Sequence, residues 1–229
     1  MTLTNEEVTL ENLVKVKDFV YKANINDVVL IFVAGRGVLD DNFDYYFASY
    51  DMDFKNPSER GIPFETIEQF LDGIRALKKL FLIDTCHSGE LDKDEIEENT
   101  DENETEQGDI IFRNAGVAVK VKDNPLDLTS TNELMKSLFT DLRKGTGATV
   151  ISSSGGVELS LESGTFKNGL FTYCLLKGLL NKEADLNKDK QISVSELQKY
   201  VSTEVNLLSN GTQTPTSRIQ NNELDYRVW

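Results

Sequence analysis

Apolar residues in this chain recur in two rhythms. Leu10, Leu13, Val16 and Val20 share one helical face behind Thr9, whose hydroxyl can cap a helix, so the pattern predicts an amphipathic helix over 9–21. Phe64, Ile67, Phe70, Leu71, Ile74 and Leu77 keep the same spacing and predict a helix over 64–77. Between them, residues 27–35 (Asp-Val-Val-Leu-Ile-Phe-Val-Ala-Gly) form a run rich in strand-favouring side chains and predict the best strand of the chain. Residues 45–50 suggest another strand, with Asn56-Pro57-Ser58 as a turn after it. Leu80 to Ile83 is a short apolar run, as expected of a strand buried on both faces.

The second half repeats these signals. Leu134, Met135, Leu138, Phe139 and Leu142 predict a helix capped near Asn132, and residues 148–152 predict a third strand. A nearly all-apolar helix follows from about 169 to 180, with Asn168 as its expected cap. It must be buried, and Cys174 within it is most simply core. Leu197, Tyr200, Val201, Val205 and Leu208 predict a last helix over 194–208, and residues 224–229 an edge strand. Helices alternating with short apolar strands predict an α/β sandwich on a mostly parallel sheet flanked by helices.

Residues 90–109 break the pattern, with acidic and amide side chains that cannot bury, so a solvated, disordered segment is expected there. At 229 residues, 39% hydrophobic and 28% charged, the rest reads as a single domain spanning 1–229. The net charge of −15 argues against nucleic acid and anionic membranes as partners, and it would attract basic peptides. No apolar run approaches the ~18–20 residues of a membrane span, and no signal peptide is visible at Met1. Two cysteines, Cys86 and Cys174, make no disulfide framework, so a reducing cytoplasm is the expected setting.

Most of the candidate chemistry lies in 78–89, Lys-Lys-Leu-Phe-Leu-Ile-Asp-Thr-Cys-His-Ser-Gly. Reacting groups collect where strands of an open α/β sheet end. Cys86 is therefore a candidate nucleophile, against the alternative of a buried core cysteine. Asp84, two residues earlier, falls on the same side of an extended chain.

Asp-x-Cys-His-Ser-Gly at a strand end resembles the nucleophile motif of the caspase-like cysteine peptidases (peptidase C14), and most nearly their bacterial metacaspase or orthocaspase branch. The likeness runs from about Thr9 to Trp229. It takes in Tyr50-Asp51, Asp141-Leu142-Arg143, Asn168-Gly169 and Gln213-Thr214-Pro215-Thr216. It implies a caspase-like sandwich with Cys86 as nucleophile, an oxyanion hole from the N–H groups of Gly37 and Cys86, and a histidine about 50 residues upstream. That place holds Arg36. The resemblance also implies Asp84, with Glu158 beside it, as the groups binding a basic P1 side chain, and basic peptide segments as partners. Asp84 has a structural alternative, capping its loop through backbone N–H groups. The acidic stretch, 90–112, would be a processing linker, with Lys93 or Arg113 as cleavage points, or simply a surface loop. His87 is more easily a structural hydrogen-bonding residue than a substitute base, because strand geometry turns it away from Cys86. The family's first strand, a helix and a second strand would precede residue 9. A longer chain with further domains, or a partner, is expected to fill that gap.

A guanidinium at 36 favours a thiolate but cannot release a proton. Two functions are therefore open: an impaired cysteine endopeptidase, or a pseudopeptidase that binds basic segments or acts as a regulatory scaffold.

Residues 185–196 have calcium-loop spacing, with Asp185, Asn187, Asp189, Gln191 (through its carbonyl) and Glu196 as candidate Ca²⁺ ligands. Lys190 stands where that loop has glycine. Ser193-x-x-Glu196 reads equally as a capping box for the last helix. No cofactor is otherwise expected.

Overall fold

The computed structural model describes residues 1–40, 42, 44–88, 111–112, 147–153, 161–162, 169–218 and 225–229, with backbone alone at 86–88, 111–112, 161–162 and 218. The features expected at 90–109 and 132–142, together with Asn168, lie outside these residues. In chain order the elements are α1 (Leu10–Val20), β1 (Val28–Leu39), β2 (Tyr45–Phe47), α2 (Pro57–Arg60), β3 (Ile62–Pro63), α3 (Phe64–Asp72), β4 (Lys78–Ser88), β5 (Ile111–Phe112), β6 (Thr149–Ser152), β7 (Leu161–Glu162), α4 (Leu170–Leu180), α5 (Val194–Leu208) and β8 (Thr216–Arg218).

Six strands form one open sheet in the order β3-β2-β1-β4-β6-β8, and β5 pairs with β7 apart from it. The sheet is parallel at its centre, where β4 lies between β1 and β6, and antiparallel at both margins. One face carries Phe81, Ile83 and Val150 against residues of α1 and α3. The other carries Leu80, Leu82 and Ile151 against α4 and α5. Leu80 to Ile83 are thus buried on both faces, as their unbroken apolar run requires. This is the α/β fold that the alternating pattern predicts, with its parallel part confined to the middle.

Helix α1 starts as expected, the Thr9 side chain accepting the Asn12 N–H. Helix α3 is shorter than its periodicity. It stops at Gly73, where a β-carbon would stand 2.0 Å from the Tyr21 hydroxyl oxygen, yet Ile74 still points into the core. The periodicity continued because Ile74 is buried, although the helix had ended. Helix α4 takes Gly169 as its N-cap residue. The edge strand is β8 rather than the tail. Residues 226–229 instead pair with the segment entering α5: Ile192 N–H donates to the Trp229 carbonyl and Val228 N–H to that of Ile192.

Strands β1 and β4 outrun their apolar segments. Their register is continuous from Val28 opposite Lys78 to Val38 opposite Ser88, so the paired ladder extends through the small and polar residues beyond each hydrophobic run. Strand β2 meets β1 only at Gly37, Val38 and Leu39. From Val28 to Arg36, no strand among the described residues pairs with the far side of β1. Its face towards the α4 layer is also uncovered, with Leu30 43% and Phe32 42% exposed.

Candidate active site

The parallel register builds the site. Ala34, Gly35, Arg36 and Gly37 on β1 stand opposite Asp84, Thr85, Cys86 and His87 on β4. The expected nucleophile and the residue at the expected proton-shuttle position, 50 positions apart in sequence, are therefore abreast on adjacent strands. Neighbouring strands are spaced about 4.8 Å apart.

Arg36 is half-buried, and its guanidinium lies 5.8 Å from the centre of the Phe54 ring, a cation–π contact. Its carbonyl accepts the Ala48 N–H at 2.8 Å, so the backbone at 36 is fixed by β4 on one side and the chain after β2 on the other. Gly37 admits no side chain, because a β-carbon there would fall 1.7 Å from the Tyr45 hydroxyl oxygen. Tyr45 is itself held edge-on by Phe47 and Phe64, with its hydroxyl 3.4 Å from Thr85 Oγ1. Glycine at 37 is thus enforced by an aromatic ring wedged beneath the strand.

Asp84 is fully buried. Among the described residues, its Oδ2 accepts a hydrogen bond from the Thr172 hydroxyl in the first turn of α4, and its Oδ1 is buried with no partner. The alternative role, capping the loop through its backbone N–H groups, concerns a loop that lies mostly outside the described residues. An unpaired carboxylate oxygen out of water is costly, on the order of 1–3 kcal/mol or more for a charged group. Such an oxygen is well suited to a cationic ligand. Glu158, the other expected pocket residue, lies outside the described residues.

The polar end of the sheet is braced from behind. Ser153 N–H donates to the Ile83 carbonyl at 2.8 Å, and Ser153 Oγ donates to the Thr85 carbonyl at 3.4 Å. Gln213, fully buried, donates through Nε2 to the Ser153 carbonyl at 2.9 Å. That bond gives Gln213-Thr214-Pro215-Thr216 a structural role.

Cys174 is buried in the α4–α5 core, and burial, aided by Glu204 and Glu183, pushes its thiol up to about 12. It is not a second nucleophile.

The 185–196 loop joins α4 to α5 as a helix–loop–helix. Lys190, at the glycine position, takes the left-handed backbone with φ of 71°. Asp185 accepts the N–H groups of Asp189 and Lys190 at 3.1 and 2.8 Å, and Asn187 Oδ1 also accepts that of Asp189 at 2.8 Å. Asp189 accepts the N–H of Gln191, and Glu196 those of Asn187 and Ser193. Glu196 and Ser193 form the capping box reciprocally. Among the described residues, no group of three or more His, Cys, Asp or Glu is placed to hold a metal ion, and no helix is long and apolar enough to cross a membrane.

Comparison with known proteins gives two findings. A family model described as the Caspase domain matches residues 3–225. The crystal structure of protein GSU0716 from Geobacter sulfurreducens is similar in fold, with a TM-score of 0.55 and 16% identity over 95% of this chain and 76% of that one. No curated protein matches.

Proposed function

Because the chain belongs to the caspase-domain family of peptidases, we propose that it carries a cysteine-endopeptidase centre at Arg36 and Cys86 that binds basic peptide segments and turns them over poorly or not at all. The observation that carries this reading is the register that sets Arg36 opposite Cys86.

Peptide hydrolysis by a thiol requires a nucleophilic thiolate, an acid for the leaving amine and donors for the oxyanion. The proposed part of Arg36 is to favour the Cys86 thiolate with its positive charge, which would supply the first requirement. The N–H groups of Gly37 and Cys86 are the proposed oxyanion donors. The second requirement fails. A guanidinium keeps its proton above about pH 12 and so cannot shuttle it to the amine. Loss of general acid–base catalysis costs about 10²–10⁴-fold, and more where nucleophile and base act as a unit. His87, opposite Gly37 rather than Arg36, is proposed as a structural residue.

Substrate preference is assigned to Asp84, whose buried, unpartnered Oδ1 favours an Arg or Lys side chain at P1. The net charge of −15 draws basic segments towards the molecule by long-range attraction. On this reading the chain is a peptide-binding pseudopeptidase or regulatory scaffold built on an endopeptidase. The test is Arg36→His, which is expected to produce cleavage after Arg or Lys that vanishes when Cys86→Ala is added. A folded Arg36→His protein that stays inert refutes the claim that residue 36 is the missing element.

A further inference from the structure

We infer that Thr172 makes the Asp84 site select a lysine ammonium over an arginine guanidinium. The inference rests on Asp84 being the carboxylate that receives the basic side chain.

The two oxygens of Asp84 are not equivalent. Oδ2 already accepts the Thr172 hydroxyl at one of its two lone-pair positions, whereas Oδ1 is buried with no hydrogen-bond partner. Among the described residues the flanking positions add no carboxylate: Ala34 lies opposite on β1, and Ser153 follows Ser152, which pairs with Ile83, on β6. Ser153 Oγ is engaged with the Thr85 carbonyl. A guanidinium gains most from a carboxylate when both oxygens meet its planar fork. Against one open oxygen it makes a single contact and carries its remaining N–H donors out of water. An ammonium has three donors to place rather than five and needs no fork, so one open oxygen suits it better. Thr172 lies 88 residues from Asp84 in sequence and reaches it because the start of α4 packs over the end of β4. It is a positioning residue, acting on the ligand through Asp84.

The experiment measures fluorescence anisotropy of two labelled peptides, identical except for Lys or Arg at the P1 place, with the whole chain and with Thr172→Val, Thr172→Ser and Asp84→Asn. The wild type is expected to hold the Lys peptide about tenfold more tightly, roughly the worth of one charge-assisted hydrogen bond. Thr172→Val frees Oδ2 and is expected to erase or invert that ratio. Thr172→Ser keeps a hydroxyl and is expected to retain it. A purely structural role for Thr172 would weaken both peptides together and leave the ratio alone. Equal binding, an Arg preference in the wild type, or a ratio unmoved by Thr172→Val overturns the inference while Asp84 remains the binding group, provided Asp84→Asn weakens both peptides. If Asp84→Asn changes neither affinity, or neither peptide binds the wild type, the assignment of Asp84 itself falls and the inference with it.

Discussion

At the scale of single residues, the two cysteines of the chain hold different places in the fold. Cys174 is enclosed by apolar side chains, and burial holds its thiol protonated, up to about 12. Cys86 stands opposite a permanent cation. Iodoacetamide at neutral pH is therefore expected to modify Cys86 and spare Cys174 until the protein unfolds, as read by peptide mass mapping. Arg36→Ala is expected to shift the pH profile of Cys86 alkylation upwards. Equal labelling of both thiols, or a profile unmoved by Arg36→Ala, would show that the charge at 36 does not govern the nucleophile. The facing of Arg36 and Cys86 was legible in the sequence, because a strand end and an upstream interval locate both. Thr172, Phe54 and Tyr45 were not. Each acts on the site from another segment of the chain, and nothing in its local pattern separates a residue that touches the site from one that packs.

At the scale of elements, hydrophobic pattern set element type more securely than element length. The strand after residue 27 continues to Leu39, and β4 to Ser88, because their mutual ladder extends beyond the apolar side chains. Helix α3 stops five residues early where a tyrosine ring fills the space beside Gly73. The loop before α5 shows the reverse case, a spacing compatible with two roles. Its oxygens accept the loop's own N–H groups, and Glu196 closes the capping box by accepting the N–H of the N-cap residue Ser193. Millimolar Ca²⁺ is accordingly expected to leave the melting temperature of the wild type where a chelator leaves it. A clear rise would establish a bound ion despite Lys190. Lys190→Gly removes a side chain from left-handed backbone and is expected to stabilise the fold by about 1 kcal/mol, or ~2–4 °C in Tm. An unchanged or lowered Tm would mean that the backbone at 190 carries no strain.

At the scale of the whole molecule, the sheet is covered unevenly. Helices α4 and α5 lie over β4 and β6, while Val28, Leu30 and Phe32 of β1 face outwards beside an edge that no described strand occupies over 28–36. The resemblance implied a gap inside the sheet without naming the strand beside which it would fall. That the neighbouring face would also be bare could not be read from the alternation of β1 alone. A strand edge that is apolar and uncharged from Val28 to Gly35 is a template for pairing. The chain by itself is expected to self-associate with rising concentration in sedimentation runs. Leu30→Lys with Phe32→Lys is expected to return it to monomer at little cost in stability, since both side chains are already partly exposed. A wild type that stays monomeric throughout the series would show that this face is not adhesive.

The most direct measurement of the central claim is turnover of fluorogenic peptides with Arg or Lys at P1 by the chain as it stands, beside Cys86→Ala. With a guanidinium at the shuttle position, the two proteins are expected to give the same background rate. Robust cleavage by the wild type that disappears in Cys86→Ala would contradict the account and show that another group moves the proton.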